Sequence, residues 1–219
     1  IYAKSPNLVD IYASTPSLKR YVIRLFHSLV KVPWSDNYLF LLSYLGAKHS
    51  DIFLNSISFD LEAPLANHKL SKDLYKFFSA LMESKQDGLS ILFLTGSIAS
   101  NIKHEKVEKD TGNHSILSIL KKNALKLDLL PESGGYCLLD SIAYAFNTWA
   151  NARDSNADTE FVLALLKRVK EFKSDRASSK EDMVAAAGKY KLISCTIEIV
   201  ALYLFTSAEV DLHFFELLN

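Results

Sequence analysis

The run Leu192-Ile193-Ser194-Cys195-Thr196-Ile197-Glu198-Ile199-Val200-Ala201-Leu202-Tyr203-Leu204-Phe205 admits two readings, and they lead to different architectures. Its isoleucine, valine, threonine and aromatic content favours a strand. Its length, in a chain of 219 residues with only seven glycines, favours a helix. Read as a strand, it turns at Thr206-Ser207-Ala208-Glu209 and returns along residues 210–218 as a C-terminal β-hairpin. That reading makes the fold α+β and helix-rich, and it is the expectation adopted here. The helical reading gives an all-α bundle instead.

Upstream, apolar residues recur with the period of helices. Thr15-Pro16-Ser17 opens a helix with Leu18, Val22, Leu25, Phe26 and Leu29 on its apolar face. A second helix is expected over 37–45, closed by Gly46. Ser71 is read as the cap of a helix that buries Leu74, Phe77, Phe78, Leu81 and Met82. Ile57, Phe59 and Leu61 alternate like a short strand, and Leu89 to Leu94 reads as a buried one. The polar stretch 101–113 is the linker candidate, so a helical accessory domain is expected over 1–110 and a second domain over 111–219. In the second domain, helices start near Ser115, Cys137 and Asp158. The Ser178-Ser179-Lys180-Glu181 capping box begins a short helix that ends at Gly188.

Composition narrows the function. Basic and acidic residues balance at 25 each, which argues against a nucleic-acid coat or a binder of anionic membranes. The longest apolar stretch, 193–205, is interrupted by Thr196 and Glu198 and is too short to span a bilayer. Two cysteines build no disulfide framework, so a reducing compartment, the cytoplasm, is the expected home. The chain opens on Ile1 rather than methionine, as a fragment or a processed product does.

Gly134-Gly135-Tyr136-Cys137 reads as a tight turn that delivers a cysteine to the start of a helix. There the free N–H groups and the helix dipole would favour the thiolate. His213 lies in the strand-like run 210–218 and supplies the general base of a Cys137–His213 dyad. The amides of Tyr136 and Cys137 would hold an oxyanion, with Asp211 as the orienting group. The alternative is that Cys137 is a small core residue and the chain a non-enzymatic helical interaction module, a subunit of a larger assembly. Neither cofactor nor metal is called for: the cysteines are distant, and no histidine pair has ligand spacing. His27 reads as packed or partly exposed, and Leu92-Phe93-Leu94-Thr95-Gly96-Ser97 lacks the lysine of a nucleotide loop.

Gly134-Gly135-Tyr136-Cys137-Leu138-Leu139-Asp140 resembles the nucleophile segment of ovarian-tumour-type and viral papain-like cysteine proteases. His213-Phe214-Phe215-Glu216 resembles their histidine strand. Gly134 stands where the ovarian-tumour-type pattern has aspartate, and Phe215 where it has asparagine or aspartate. The resemblance implies peptide or isopeptide hydrolysis of a protein or peptide substrate, as in polyprotein self-processing or deubiquitination. It also implies a viral source and an infected host cell.

Overall fold

The computed structural model describes residues 2–32, 40–84, 86–96, 115–149, 155–171 and 180–207. Among them every regular element is helical: α1 (Ser5–Ser14), α2 (Lys19–Lys31), α3 (Leu41–Glu62), α4 (His68–Glu83), α5 (Asp87–Thr95), α6 (Ile116–Ala124), α7 (Glu132–Thr148), α8 (Ser155–Glu171) and α9 (Lys180–Thr206). Short 3-10 turns precede α1, α2 and α7. The fold is therefore all-α over the described residues, which corrects the α+β expectation. Residues 192–205 lie inside α9, and the returning strand expected at 210–218 lies outside the described residues.

The 192–205 run misled because β-branched composition measures fit to a half-buried pleated surface more than a backbone preference. Here its apolar residues are spread around a helix. Thr196, Ile199, Val200 and Tyr203 are buried, while Ile197 and Phe205 are exposed. Leu89 to Leu94 is likewise helical, in α5, which stops where Gly96 takes a left-handed conformation (φ 76°) and donates its N–H to Leu92 O.

Residues 56–61 show most directly how helix replaces strand. In a strand, Ile57, Phe59 and Leu61 would share a face. In α3, Ile57 and Leu61 are four apart and buried, whereas Phe59 is 74% exposed. The same helix explains Gly46. Its backbone (φ 66°, ψ 174°) kinks α3, so the short first turn ends there and the helix resumes toward Glu62. Only glycine adopts that conformation without a steric cost. Ser50 donates its hydroxyl to the Gly46 carbonyl at 2.7 Å and helps close the break.

Caps differ from expectation for local reasons. Asn67, not Ser71, caps α4, accepting the Leu70 N–H at 3.1 Å. The Ser71 hydroxyl instead donates to the carbonyls of Pro64 and Asn67. In α2, Val22, Phe26 and Leu29 are buried as their spacing requires, but Leu18 and Leu25 face solvent.

One apolar core runs through the helices on either side of 101–114. Its centre is aromatic. Phe53 is enclosed by Tyr12, Phe26, Phe77 and Phe93, with ring centroids between 4.7 and 6.0 Å away. Polar ties join the layers: Asp60 accepts from Tyr12 at 2.6 Å and from Lys19 at 2.7 Å, linking α1, α2 and α3. Asn123 donates to Leu61 O at 2.9 Å, and Lys121 pairs with the buried Asp158. The expected boundary near residue 110 lies outside the described residues, but α6 packs on α3 and α5, and α7 packs on α4.

Two phenylalanines six residues apart in α3 test this arrangement. Phe53→Ala removes a ring from the centre of the core and is expected to cost about 3–5 kcal/mol. Phe59→Ala is expected to change stability by no more than about 0.5 kcal/mol. Urea denaturation of both variants measures the difference.

Candidate functional site

The Gly134-Gly135-Tyr136-Cys137 segment is not a turn. Helix α7 begins at Glu132, after Pro131, and the N–H groups of Gly134 and Gly135 both donate to the Pro131 carbonyl, at 2.8 and 3.0 Å. Cys137 is the sixth residue of the helix. The amides of Tyr136 and Cys137 come after the N–H groups that a first turn leaves free, so the oxyanion donors expected there belong to the helix ladder. The Cys137 thiol is half-buried against the core.

The electrostatics follow from that position. Burial pushes the Cys137 thiol above its ordinary range, and Lys76 and Lys72 on α4 only partly oppose it. Asp140 and Asp73 push the same way as burial. Cys195, on α9, is also raised, first by burial and then by Glu198. A thiol with a raised pKa stays protonated at neutral pH and is a poor nucleophile. His213 and Asp211 lie outside the described residues.

The two glycines serve packing. A Cβ on Gly135 would stand 3.1 Å from Leu192 Cδ2 and 3.3 Å from Leu127 Cδ2, so its missing side chain lets α9 approach α7 closely. Gly188, expected to end a helix, lies within α9, where a Cβ would meet the movable Glu132 carboxylate at 2.6 Å. Tyr136 donates its hydroxyl to the Gly188 carbonyl at 3.0 Å, and Lys191 Nζ lies 4.7 Å from the Tyr136 ring centroid. The arrangement is a helix–helix seam, α7 against α9, rather than a nucleophile turn.

No group of three metal-binding side chains occurs among the described residues, and no helix among them is long and apolar enough to cross a membrane. A shallow cleft lies where α4 begins and α7 begins, lined by Pro64, His68, Lys72, Tyr75, Pro131 and Ser133.

Comparison with known proteins points the same way as the helices. Residues 1–97 match the family model described as Nucleoporin Nup188, N-terminal subdomain III. The whole chain aligns with Nucleoporin NUP188 of Saccharomyces cerevisiae at 40% identity over 225 residues. The resemblance is to a nucleoporin. The alignment takes in 100% of this chain and 14% of NUP188, so the chain spans about a seventh of that relative's length. The likeness to Nup188 overturns the cysteine-protease reading, with its viral source and its cytoplasmic or infected-cell setting. The resemblance that suggested it rested on a short glycine–cysteine pattern, which the fold uses for close packing.

Two measurements check this reading of the segment. Gly134 has nothing within 4 Å of a built Cβ and lies within a helix, so Gly134→Ala is expected to stabilise by about 0.5–1 kcal/mol. Gly135→Val is expected to destabilise by about 1–3 kcal/mol through overpacking. A turn needing special glycine geometry at both positions would make both changes harmful. Iodoacetamide labelling of Cys137 is expected to be slow at pH 7, because burial keeps the sulfur as the thiol. The rate should climb only as the pH passes the ordinary thiol range. Fast labelling below pH 7 would contradict the account.

Proposed function

We propose that the chain is a structural segment of a Nup188-type nucleoporin, acting without catalysis by packing against other protein in the nuclear pore. The single observation that carries this beyond sequence likeness is the outer face of α9. Met183, Ala187, Tyr190, Ser194, Ile197 and Ala201 recur at alternating spacings of four and three, and all are exposed. Phe205, 89% exposed, extends the same stripe. Glu198, four residues after Ser194 and three before Ala201, borders the stripe, and Lys189 and Lys191 lie off its line. The opposite side of α9 is buried against α7 and α8, so the helix carries apolar residues on both its inner and its outer face.

A helix with that character is normally covered by protein. The alternation of small residues (Ala187, Ser194, Ala201) with large ones (Met183, Tyr190, Ile197) leaves gaps into which the side chains of a second helix fit. A largely apolar stripe from Met183 to Phe205, about 33 Å of helix, exceeds the scattered apolar exposure of an ordinary surface. Its occupant in this reading is another helix of the nucleoporin scaffold. The relative is several times longer than this chain and has protein to supply it.

The test is cellular. A fluorescently tagged protein carrying this chain is expected at the nuclear rim. Met183→Glu combined with Ile197→Glu should disperse it while leaving the thermal unfolding of the 219-residue chain within a few degrees of the parent. Diffuse fluorescence of the unsubstituted protein, or a rim signal indifferent to both glutamates, would contradict the proposal.

A further inference from the structure

A second exposed face differs in chemistry from the α9 stripe and lies on α2 and α4. Every Lys, Arg, Asp or Glu of α2 is basic: Lys19, Arg20, Arg24 and Lys31. This occurs in a chain whose charges balance overall, so the excess reflects position rather than composition. Lys19 is engaged by Asp60. Arg20 and Arg24 face α4, where both hold Asp73 at 3.0 and 3.1 Å. Helix α4 adds Lys69, Lys72 and Lys76, three and four residues apart on one face. His27 lies between the rows. Burial lowers its pKa first, and Lys31 and Lys76 lower it further, so it stays neutral at pH 7. Asp73 is shared between two arginines, so Lys31, Lys69 and Lys76 add net positive charge along the seam, while Lys72 lines the cleft between α4 and α7.

Beside this basic seam, the solvent side of α2 and the turn before it carries an apolar line. Leu18, Tyr21 and Leu25 are exposed at helical spacing, with Tyr21 the most open. The apolar line lies on α2; Lys31 shares that helix with it, and Lys69 and Lys76 stand on the neighbouring α4. A ligand lying along α2 meets apolar side chains on one edge and ammonium groups on the other. Leu18 and Leu25 are more than half covered, so they form a shallow shelf rather than a projecting wedge, and a shelf suits a helix better than a bilayer.

We infer that the α2–α4 face docks an acidic amphipathic helix of a partner protein. Its leucine or aromatic side chains would sit on Leu18, Tyr21 and Leu25, and its carboxylates would lie against Lys31, Lys69 and Lys76. Charge complementarity sets the orientation and speeds the encounter, and the apolar shelf supplies burial.

The experiment uses the 219-residue chain and fluorescence anisotropy. The probe is a labelled synthetic helix with leucines at i, i+3 and i+7 and glutamates along one flank. The control peptide carries lysines in place of the glutamates. The acidic peptide is expected to bind, with affinity falling as salt rises, and the basic control to bind at least about tenfold more weakly. Lys31→Glu, Lys69→Glu and Lys76→Glu together should weaken the acidic peptide by about tenfold or more. Among the described residues these side chains make no ion pair, and unchanged circular dichroism checks that the variant is native. Tyr21→Ser should weaken binding while leaving its salt dependence unchanged. Equal binding of both peptides, or indifference to the triple reversal, would overturn the inference. So would a preference for phosphatidylserine vesicles or single-stranded RNA over the acidic peptide.

Discussion

The close contact of α7 with α9 at Gly135 is the constraint on which the C-terminal half depends. Helix α7 is clasped by α4, where Ser79 donates to Asp140, and by α9, through the side that carries Gly135 and Phe146. Gly135 and Gly188 remove side chains from both helices where they meet, and Tyr136 and Lys191 close the seam with a hydrogen bond and a cation–π contact. Because α9 is fixed there, the opposite face of the helix is turned outward with its apolar stripe intact. Cys137 lies on the side of α7 that meets α4, where burial weakens the thiol's acidity, so the α9 seam governs the proposed docking face and not the thiol.

Much of the core was legible in the residues. Period-3.6 spacing placed Val22, Phe26 and Leu29, then Leu74, Phe77, Phe78, Leu81 and Met82 on buried faces, because each stripe is long and bounded by polar residues. The illegible parts share a cause. Ile57-x-Phe59-x-Leu61 satisfies a two-residue period and, without Phe59, a four-residue one. Only the core decides which side chain is left out. The 192–205 run is apolar on nearly every side, so no period appears in it, and composition then favours the wrong element.

The site reading failed on glycine. Gly134-Gly135 before a cysteine looks the same in a sequence whether the glycines make a turn or admit a neighbouring helix. Glu132 and Ser133 after Pro131 form a plausible helix start, five residues before the cysteine, and were the available signal. The exposed stripe of α9 was also visible as a 3–4 alternation from Met183 to Ala201, but assigning half of that span to a strand concealed it. Reading the span as one helix links composition, packing and proposed role. A neutral chain with few breakers folds into helices, and its last described helix presents a face of exposed, mainly apolar residues.

Hydroxyl-radical footprinting of Met183, Tyr190 and Phe205, in the 219-residue chain alone and in nuclear pore assemblies that contain it, tests this most directly. The account predicts heavy oxidation of all three in the isolated chain and strong protection in the assembly, with buried Tyr203 protected in both. Equal oxidation of the three in both states would show that the α9 face meets only water and would contradict the scaffold role.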